Sequence, residues 1–160
     1  MRILLLIIFP LVSFTQDVAI GYWKDYLAYN QVTDLAVVNE KTYCIAQGGV
    51  FYYDNEDNSI NRISKINGLT ENQAEKISFD EISNTILISY ENCNIDLIQD
   101  NEVINIPDIK RKEISGLKKI NNIYFKNNLA YLSCSFGVVV LDLIKKEIKD
   151  TYKIGENGNY

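Results

Sequence analysis

The chain has 160 residues, of which 47% are hydrophobic and 23% are charged, a composition that is globular and excludes a disordered chain. It contains no histidine, which excludes Ser-His-Asp and Cys-His catalysis and all His-ligated metal sites. The formal net charge is −5, and the one basic run, at 110–112, is interpreted as a solvated loop, so nucleic acid is not expected as a partner.

The N-terminus has the pattern of a secretory signal peptide. Arg2 is followed by an apolar run from Ile3 to Val12 and then by small polar residues. The run is shorter than the roughly 20 apolar residues that span a bilayer. We therefore predict a signal peptide at 1–15, cleaved after Thr15, with no transmembrane segment left after its removal. An uncleaved anchor or a buried strand is the alternative.

A short aromatic segment at 16–31 precedes the first predicted strand. In it, Trp23, Tyr26 and Tyr29 are spaced by three residues. These rings either form a ligand platform for a sugar or pack the segment onto the domain, because aromatic side chains bury much area.

The rest of the chain repeats with a step of 44 residues. The step relates Gly49 to Cys93 and Cys93 to Gly137, since 93 − 49 and 137 − 93 both equal 44. It also aligns apolar positions in three sets: Phe51, Ile95 and Val139; Tyr53, Leu97 and Leu141; Leu35, Phe79 and Ile123. A period in the 40s with four strand-like runs in each unit is typical of a β-propeller blade.

The predicted fold class is therefore all-β: a partial, N-terminal β-propeller over 32–160, with about three four-stranded blades at 32–66, 74–107 and 119–153. The alternative is three tandem hairpins of a sandwich. The predicted strands are Thr33–Val38, Thr42–Ala46, Val50–Asp54, Ile60–Lys65, Lys76–Asp80, Thr85–Tyr90, Asn94–Ile98, Glu102–Ile106, Ile120–Phe125, Ala130–Cys134, Val138–Asp142 and Glu147–Tyr152.

Three blades do not close a ring, since propellers use about four to eight. We expect either a longer chain that supplies further blades or an assembly of several chains. An open arc would expose a sheet edge and an apolar face, so marginal solubility is expected of the isolated piece.

Four features are candidates for chemistry. Cys44 and Cys134 are predicted to be small buried hydrophobes, although a bridge between them is left open, and Cys93 takes a position where the other units have glycine. The run Asp54, Glu56 and Asn58 resembles the start of a calcium loop, but a polar turn is favoured because Ser59 and Lys65 occupy its sixth and twelfth places. Asp96 interrupts an apolar strand and either binds a ligand or makes a structural hydrogen bond.

The stretch at 68–98, GLTENQAEKISFDEISNTILISYENCNIDLI, resembles the repeat of two-component-regulator-type propellers. The stretches IGYWKDYLAYNQVTDLA, IPDIKRKEISGLKKINNIYF and FGVVVLDLIKKEIKDTY are similar to the N-terminal propeller of PorZ proteins, surface components of the type IX secretion system. This second resemblance spans about 20–160. It implies export to the cell surface and outer membrane by way of the periplasm. It also implies an attachment complex with a sortase-like protease and other proteins, and contact with anionic lipopolysaccharide.

Three functions are compatible with these residues. The first is a non-catalytic secretion component, which assists cargo processing and lipopolysaccharide attachment through protein and glycan binding. The second is the periplasmic glycan sensor of a hybrid two-component histidine kinase. The third is an enzyme built on a propeller, which lacks support here because no paired acids or phosphate loop stand out. We therefore expect no enzyme activity, no catalytic residue and no cofactor or metal.

Overall fold

The computed structural model describes residues 29–153, which form three four-stranded antiparallel sheets. Blade 1 contains β1 Val32–Val38, β2 Lys41–Ala46, β3 Gly49–Asp54 and β4 Ser59–Ile63. Blade 2 contains β5 Ala74–Asp80, β6 Thr85–Tyr90, β7 Ile95–Gln99 and β8 Glu102–Ile106. Blade 3 contains β9 Ile120–Lys126, β10 Leu129–Cys134, β11 Gly137–Asp142 and β12 Glu147–Lys153. The predicted signal peptide, Trp23 and Tyr26 lie outside the described residues.

The predicted fold class is confirmed, and each strand begins and ends within two residues of its predicted bounds. Two strand ends differ by two residues: the strand predicted to begin at Lys76 begins at Ala74, and the strand predicted to run to Lys65 ends at Ile63. The strand stops at Ile63 because the Ser64 hydroxyl accepts a hydrogen bond from the Ile66 amide at 3.3 Å and caps a 3₁₀ helix, Lys65–Asn67. A second short helix, α1 Asp108–Arg111, follows Pro107 and was not predicted.

The blades pack face to face. β1 contacts β5, and β5 contacts β9, so the first strands of the three blades lie side by side. One apolar core between blades 1 and 2 includes Ile45, Val50 and Ile88. A second core between blades 2 and 3 includes Leu97 and Leu132. Burial of these faces against one another holds the blades in order, because each sheet has apolar residues to cover on both sides.

The 44-residue step is wrong by one residue in the third strand of blade 2. Phe51 pairs with Cys44, and Val139 pairs with Leu132, 88 residues further on. The residue opposite Ile88, however, is Asp96 and not Ile95. Asp96 is therefore the true equivalent of Phe51 and Val139, and it faces blade 1, while Ile95 lies in the core between blades 2 and 3.

Loop length explains the shift. Two residues separate the paired ends of β2 and β3, and two separate those of β10 and β11. Between β6 and β7 the loop has three residues, since the Tyr90 amide donates to the Asn94 carbonyl at 3.1 Å. The third loop residue, Cys93, has a φ of 60°, the left-handed conformation that such loops require at this place. Cys93 thus has a backbone conformation that favours glycine, but the residue equivalent to Gly49 and Gly137 is Asn94.

The face of blade 1 turned away from blade 2 is apolar and partly uncovered. Leu35, Val37 and Ile60 on this face are 54%, 58% and 50% exposed. Their pairing with Cys44, Thr42 and Tyr53 places them on one side of the sheet, since paired residues share a face. The expected exposed apolar face is therefore present among the described residues.

Candidate functional site

One end of the blades carries the segments that join them. This end, here named the connector face, consists of the connectors at 64–73 and 107–119 and the hairpin loops at 47–48, 91–93 and 135–136. Backbone hydrogen bonds tie the connectors to the hairpins: the Ala74 amide donates to the Gly48 carbonyl at 2.9 Å, and the Glu91 amide donates to the Gln73 carbonyl at 3.0 Å. The Ser135 amide likewise donates to the Lys119 carbonyl at 2.9 Å. The face is thereby fixed to the blades.

Glycine is required where the first connector crosses the first hairpin. Gly48 has a φ of +77°, and a β-carbon there would lie 2.9 Å from the Cα of Gln73. A larger residue would separate the connector from the hairpin.

Asp96 is the centre of a buried polar network beneath the connector face. Its side chain is 0% exposed. Oδ2 accepts hydrogen bonds from the Thr70 amide at 2.8 Å and the Tyr90 hydroxyl at 2.6 Å. Oδ1 accepts from the Thr70 hydroxyl at 2.6 Å and from Asn105 Nδ2 at 2.9 Å. Four donors thus satisfy a carboxylate that would be costly to bury alone.

The network attaches the first connector to blade 2. Thr70 belongs to the connector, whereas Tyr90, Asp96 and Asn105 lie on or beside three adjacent strands of one sheet. Burial, followed by the hydrogen bond to Asp96, raises the pKa of the Tyr90 hydroxyl well above its usual range, so this group stays a donor at physiological pH. The sequence had suggested Asp96 but not its partners, since Thr70 lies 26 residues away.

Two ion pairs extend these connections across the blades. Lys110 Nζ pairs with Glu71 Oε1 and so joins the second connector to the first. That hydrogen bond lowers the pKa of the Glu71 carboxyl. Lys119 Nζ lies 3.1 Å from Glu75 Oε1 and joins the end of the second connector to blade 2. Lys110, in the basic run at 110–112, therefore links the two connectors, which the expectation of a solvated loop did not include.

The two connectors differ in how they fill the space beneath them. In the first, Leu69 is 5% exposed and lies in the core. In the second, Leu117, which follows glycine in the same way, is 72% exposed. An adjacent cavity of about 200 Å³ is lined by Ile109, Phe136, Val139 and Thr151, among others. Val139 and Thr151 pair as Asp96 and Asn105 do, so this cavity occupies the place that Thr70 fills in blade 2.

Of the three aromatic candidates, only Tyr29 lies among the described residues. Its ring stands edge-on to buried Phe51, with centroids 4.9 Å apart and planes at 72°. This contact supports packing on the uncovered face of blade 1. Trp23 and Tyr26 stay predictions.

The resemblance of 54–58 to a calcium loop has a simpler structural basis. Asp54 Oδ1 accepts from the Glu56 amide at 3.0 Å, and Asn58 Oδ1 accepts from the Tyr53 hydroxyl at 2.7 Å. These are turn contacts of the favoured kind. Among residues 29–153, no group of three or more His, Cys, Asp or Glu side chains is placed to hold a metal ion.

Cys44, Cys93 and Cys134 are free and buried. The alternative of a Cys44–Cys134 bridge is therefore wrong. The two residues lie in different apolar clusters, Cys44 on the uncovered side of blade 1 and Cys134 between blades 2 and 3. Burial, together with the neighbouring Cys93, raises the pKa of the Cys134 thiol to about 12.

We expect alkaline pH to destabilise blade 3 through Cys134. Above pH about 9 the unfolded thiol loses its proton while the folded thiol keeps it, so the free energy of unfolding falls by up to about 1.4 kcal/mol per pH unit until pH approaches about 12. Urea titrations at pH 8 to 11 should show a shallower loss for Cys134→Ala, which copies Ala46 at the equivalent place in blade 1. Parallel pH profiles for the two proteins would contradict this.

The repeated sheets and their tied connectors define this chain as part of a β-propeller. The family model described as the PorZ N-terminal β-propeller domain of the type IX secretion system matches residues 42–160. The chain belongs to this family.

Comparison with solved structures agrees with this family assignment. PorZ of Porphyromonas gingivalis, an essential surface component of the type IX secretion system, is similar at a TM-score of 0.72 and 26% identity, over 76% of this chain and 16% of that chain. The extracellular domain of a candidate hybrid two-component system from B. thetaiotaomicron has a TM-score of 0.63 at 14% identity, over 77% of this chain and 17% of that one. AztD of Citrobacter koseri has a TM-score of 0.56 at 12% identity, over 78% of this chain and 34% of that one.

The last two likenesses show the fold alone. The chain spans 16% of the length of the PorZ structure that it resembles. No curated protein matches the chain. Within residues 29–153, no helix has the length and apolar character needed to cross a bilayer.

Proposed function

We propose that this protein is a non-catalytic cell-surface component of the type IX secretion attachment complex. In this role it assists cargo processing and lipopolysaccharide attachment through protein and glycan contacts. The observation that carries the proposal is the family match over 42–160, together with the likeness to PorZ, a surface component of that system. The partners proposed are the sortase-like protease and other proteins of the complex, with anionic lipopolysaccharide as the glycan.

The architecture suits a binding role. Ion pairs and hydrogen bonds tie the connectors to the blades, so the connector face presents its side chains from a rigid support. The signal peptide proposed at 1–15 would direct the chain out of the cytoplasm. The glycan sensor of a hybrid kinase is not proposed, because the likeness to such a protein is at 14% identity and extends to the fold alone.

Deletion of the gene tests the proposal. In the deletion strain, cargo proteins of the secretion system are expected to keep their C-terminal sorting domains and to lack attached lipopolysaccharide. Immunoblots of cell-surface fractions would detect both changes. The control is the same strain carrying the intact gene, which should restore both. Normal cargo processing in the deletion strain would contradict the secretion role.

A further inference from the structure

A second concave site lies between blades 1 and 2, at the end of the sheets opposite the connector face. This cleft, here named the hairpin cleft, has a volume of about 470 Å³. It is formed where the turns that follow β1, β3, β5 and β7 approach one another. Its floor is apolar and aromatic, with Ile86 buried and the others half-buried: Val38, Tyr43, Phe79, Ile86 and Ile98.

The rim of the hairpin cleft is acidic. Three carboxylates line it, from Glu40, Glu56 and Asp100. None of the three has an ion-pair partner within residues 29–153. The one cation in the lining, Lys41, is held elsewhere: its Nζ lies 3.6 Å from Asp54 Oδ2 and 5.0 Å from the centre of the Tyr52 ring.

The rim is also fixed in shape. Asn39, Asn84, Asp100 and Asn101 have φ angles of 53°, 51°, 51° and 66°, the left-handed region that tight hairpin turns demand. Three of these four are asparagines, whose side chains tolerate that conformation and add hydrogen-bonding amides to the rim.

The charge of the cleft matches that of its surroundings. The four turns of blades 1 and 2 at this end, taken with the strand residues that flank them, include Lys41 as their only basic residue. The same segments include eight acidic residues: Glu40, Asp54, Glu56, Asp57, Asp80, Glu81, Asp100 and Glu102. An excess of one sign around a concave site attracts ligands of the opposite charge.

We propose that the hairpin cleft binds a lysine-bearing extended segment of a partner protein. An apolar floor beneath an acidic rim fits the two parts of a lysine side chain, because its aliphatic stem prefers apolar surface while its ammonium group seeks carboxylates. A bare divalent cation would use the rim but leave the floor without a role. A neutral sugar would leave the carboxylates without a charged partner.

The inference extends the proposed binding role by naming the chemistry of one partner surface. It is tested on the purified full-length protein, so its failure does not depend on the outcome of the deletion experiment. The probe is a fluorescein-labelled hexapeptide in which lysine alternates with alanine, and binding is followed by fluorescence anisotropy.

Two triple variants with equal charge change form the central comparison. Glu40→Gln, Glu56→Gln and Asp100→Asn together are expected to weaken peptide binding about tenfold or more, since they remove the rim carboxylates. Asp57→Asn, Glu81→Gln and Glu102→Gln together change the same face outside the cleft lining, and they should weaken binding by no more than about threefold. Equal losses of peptide affinity in the two variants would overturn the proposal, because they would show that the peptide is attracted by the general negative charge of this end and not by the cleft. No binding by the unaltered protein would also overturn it.

Contact with the apolar floor is tested by changing the peptide and leaving the protein unaltered, so the result does not depend on whether a core variant folds. Replacing each lysine by diaminobutyrate keeps the charge but removes two methylene groups from every stem. Because each buried methylene contributes about 0.8 kcal/mol when fully covered, the shorter peptide should bind about threefold to tenfold more weakly. Unchanged affinity would contradict the proposed contact with the floor. Competition by 1 mM Ca²⁺, at an ionic strength kept constant with KCl, would instead identify the rim as a cation site.

Discussion

Gly137→Ala is expected to destabilise blade 3 by about 3 kcal/mol or more, because it combines a forbidden backbone conformation with a steric overlap. Gly137 begins β11 with a φ of +138°, a region that is essentially restricted to glycine. A β-carbon there would overlap the carbonyl oxygen of Tyr152 on the neighbouring strand β12. The strands cannot separate to relieve this without losing the hydrogen bonds that pair them.

Gly116→Ala is the matched control. Gly116 also has a positive φ, +93°, but a β-carbon there would meet nothing within 4 Å. Its replacement should cost only the backbone strain, about 1 kcal/mol. Thermal and urea unfolding of the full-length protein, with hydrogen exchange to localise the change, would measure both variants. Equal losses for the two would show that the overlap with Tyr152 is relieved and would contradict the close pairing of β11 and β12.

Asp96→Asn is expected to destabilise blade 2 and its connector by about 3 kcal/mol, since it leaves buried donors without an acceptor. The substitution exchanges one acceptor oxygen for an NH₂ group that faces other donors. Either the Tyr90 hydroxyl and the Thr70 amide, or the Thr70 hydroxyl and Asn105, would then lose their partner. Hydrogen exchange should rise in the connector at 64–73 as well as in β7.

Two further variants give reference values for this loss of stability, one inside the network and one in a turn. Tyr90→Phe removes one of the four donors and should cost about 1 kcal/mol. Asp142→Asn is the control in a turn, where Asp142 Oδ1 accepts only from the amides of Ile144 and Lys145, at 3.0 and 2.9 Å. Asparagine keeps that acceptor, so the cost should stay below about 1 kcal/mol. If Asp142→Asn lowered the free energy of unfolding as much as Asp96→Asn, the buried network around Asp96 would contribute no more to stability than an ordinary turn.

The strands were predictable because turn-forming residues lie at both ends of each alternating apolar segment. Alternating apolar residues mark the strands, and Asn, Asp and Gly mark the turns, so neither depends on distant contacts. Cys93 was aligned with Gly49 and Gly137, but the residue that takes their place opposite the end of β6 is Asn94, one position further on. The helix of Asp108–Arg111 was missed because four residues give too short a pattern to distinguish from a loop.

The register of blade 2 was not predictable from equal spacing. The loop after β6 is one residue longer than in the other blades, whereas the loop after β7, at 100–101, is two residues shorter than the loop at 55–58. These changes do not cancel: relative to blade 1, equivalent residues lie 44 positions further on in β6, 45 in β7 and 43 in β8. A single step of 44 therefore hides the change of face in β7. This shift is what turns Asp96 towards blade 1 and brings it to Thr70.

A high-resolution structure of the full-length protein would show directly whether the chain consists of equivalent blades arranged around one axis. Rotation about that axis should bring the backbone of Phe51 onto that of Asp96 and then onto that of Val139, with the Asp96 carboxylate buried against Thr70. Sheets that share no axis, or Asp96 exposed to solvent, would contradict it.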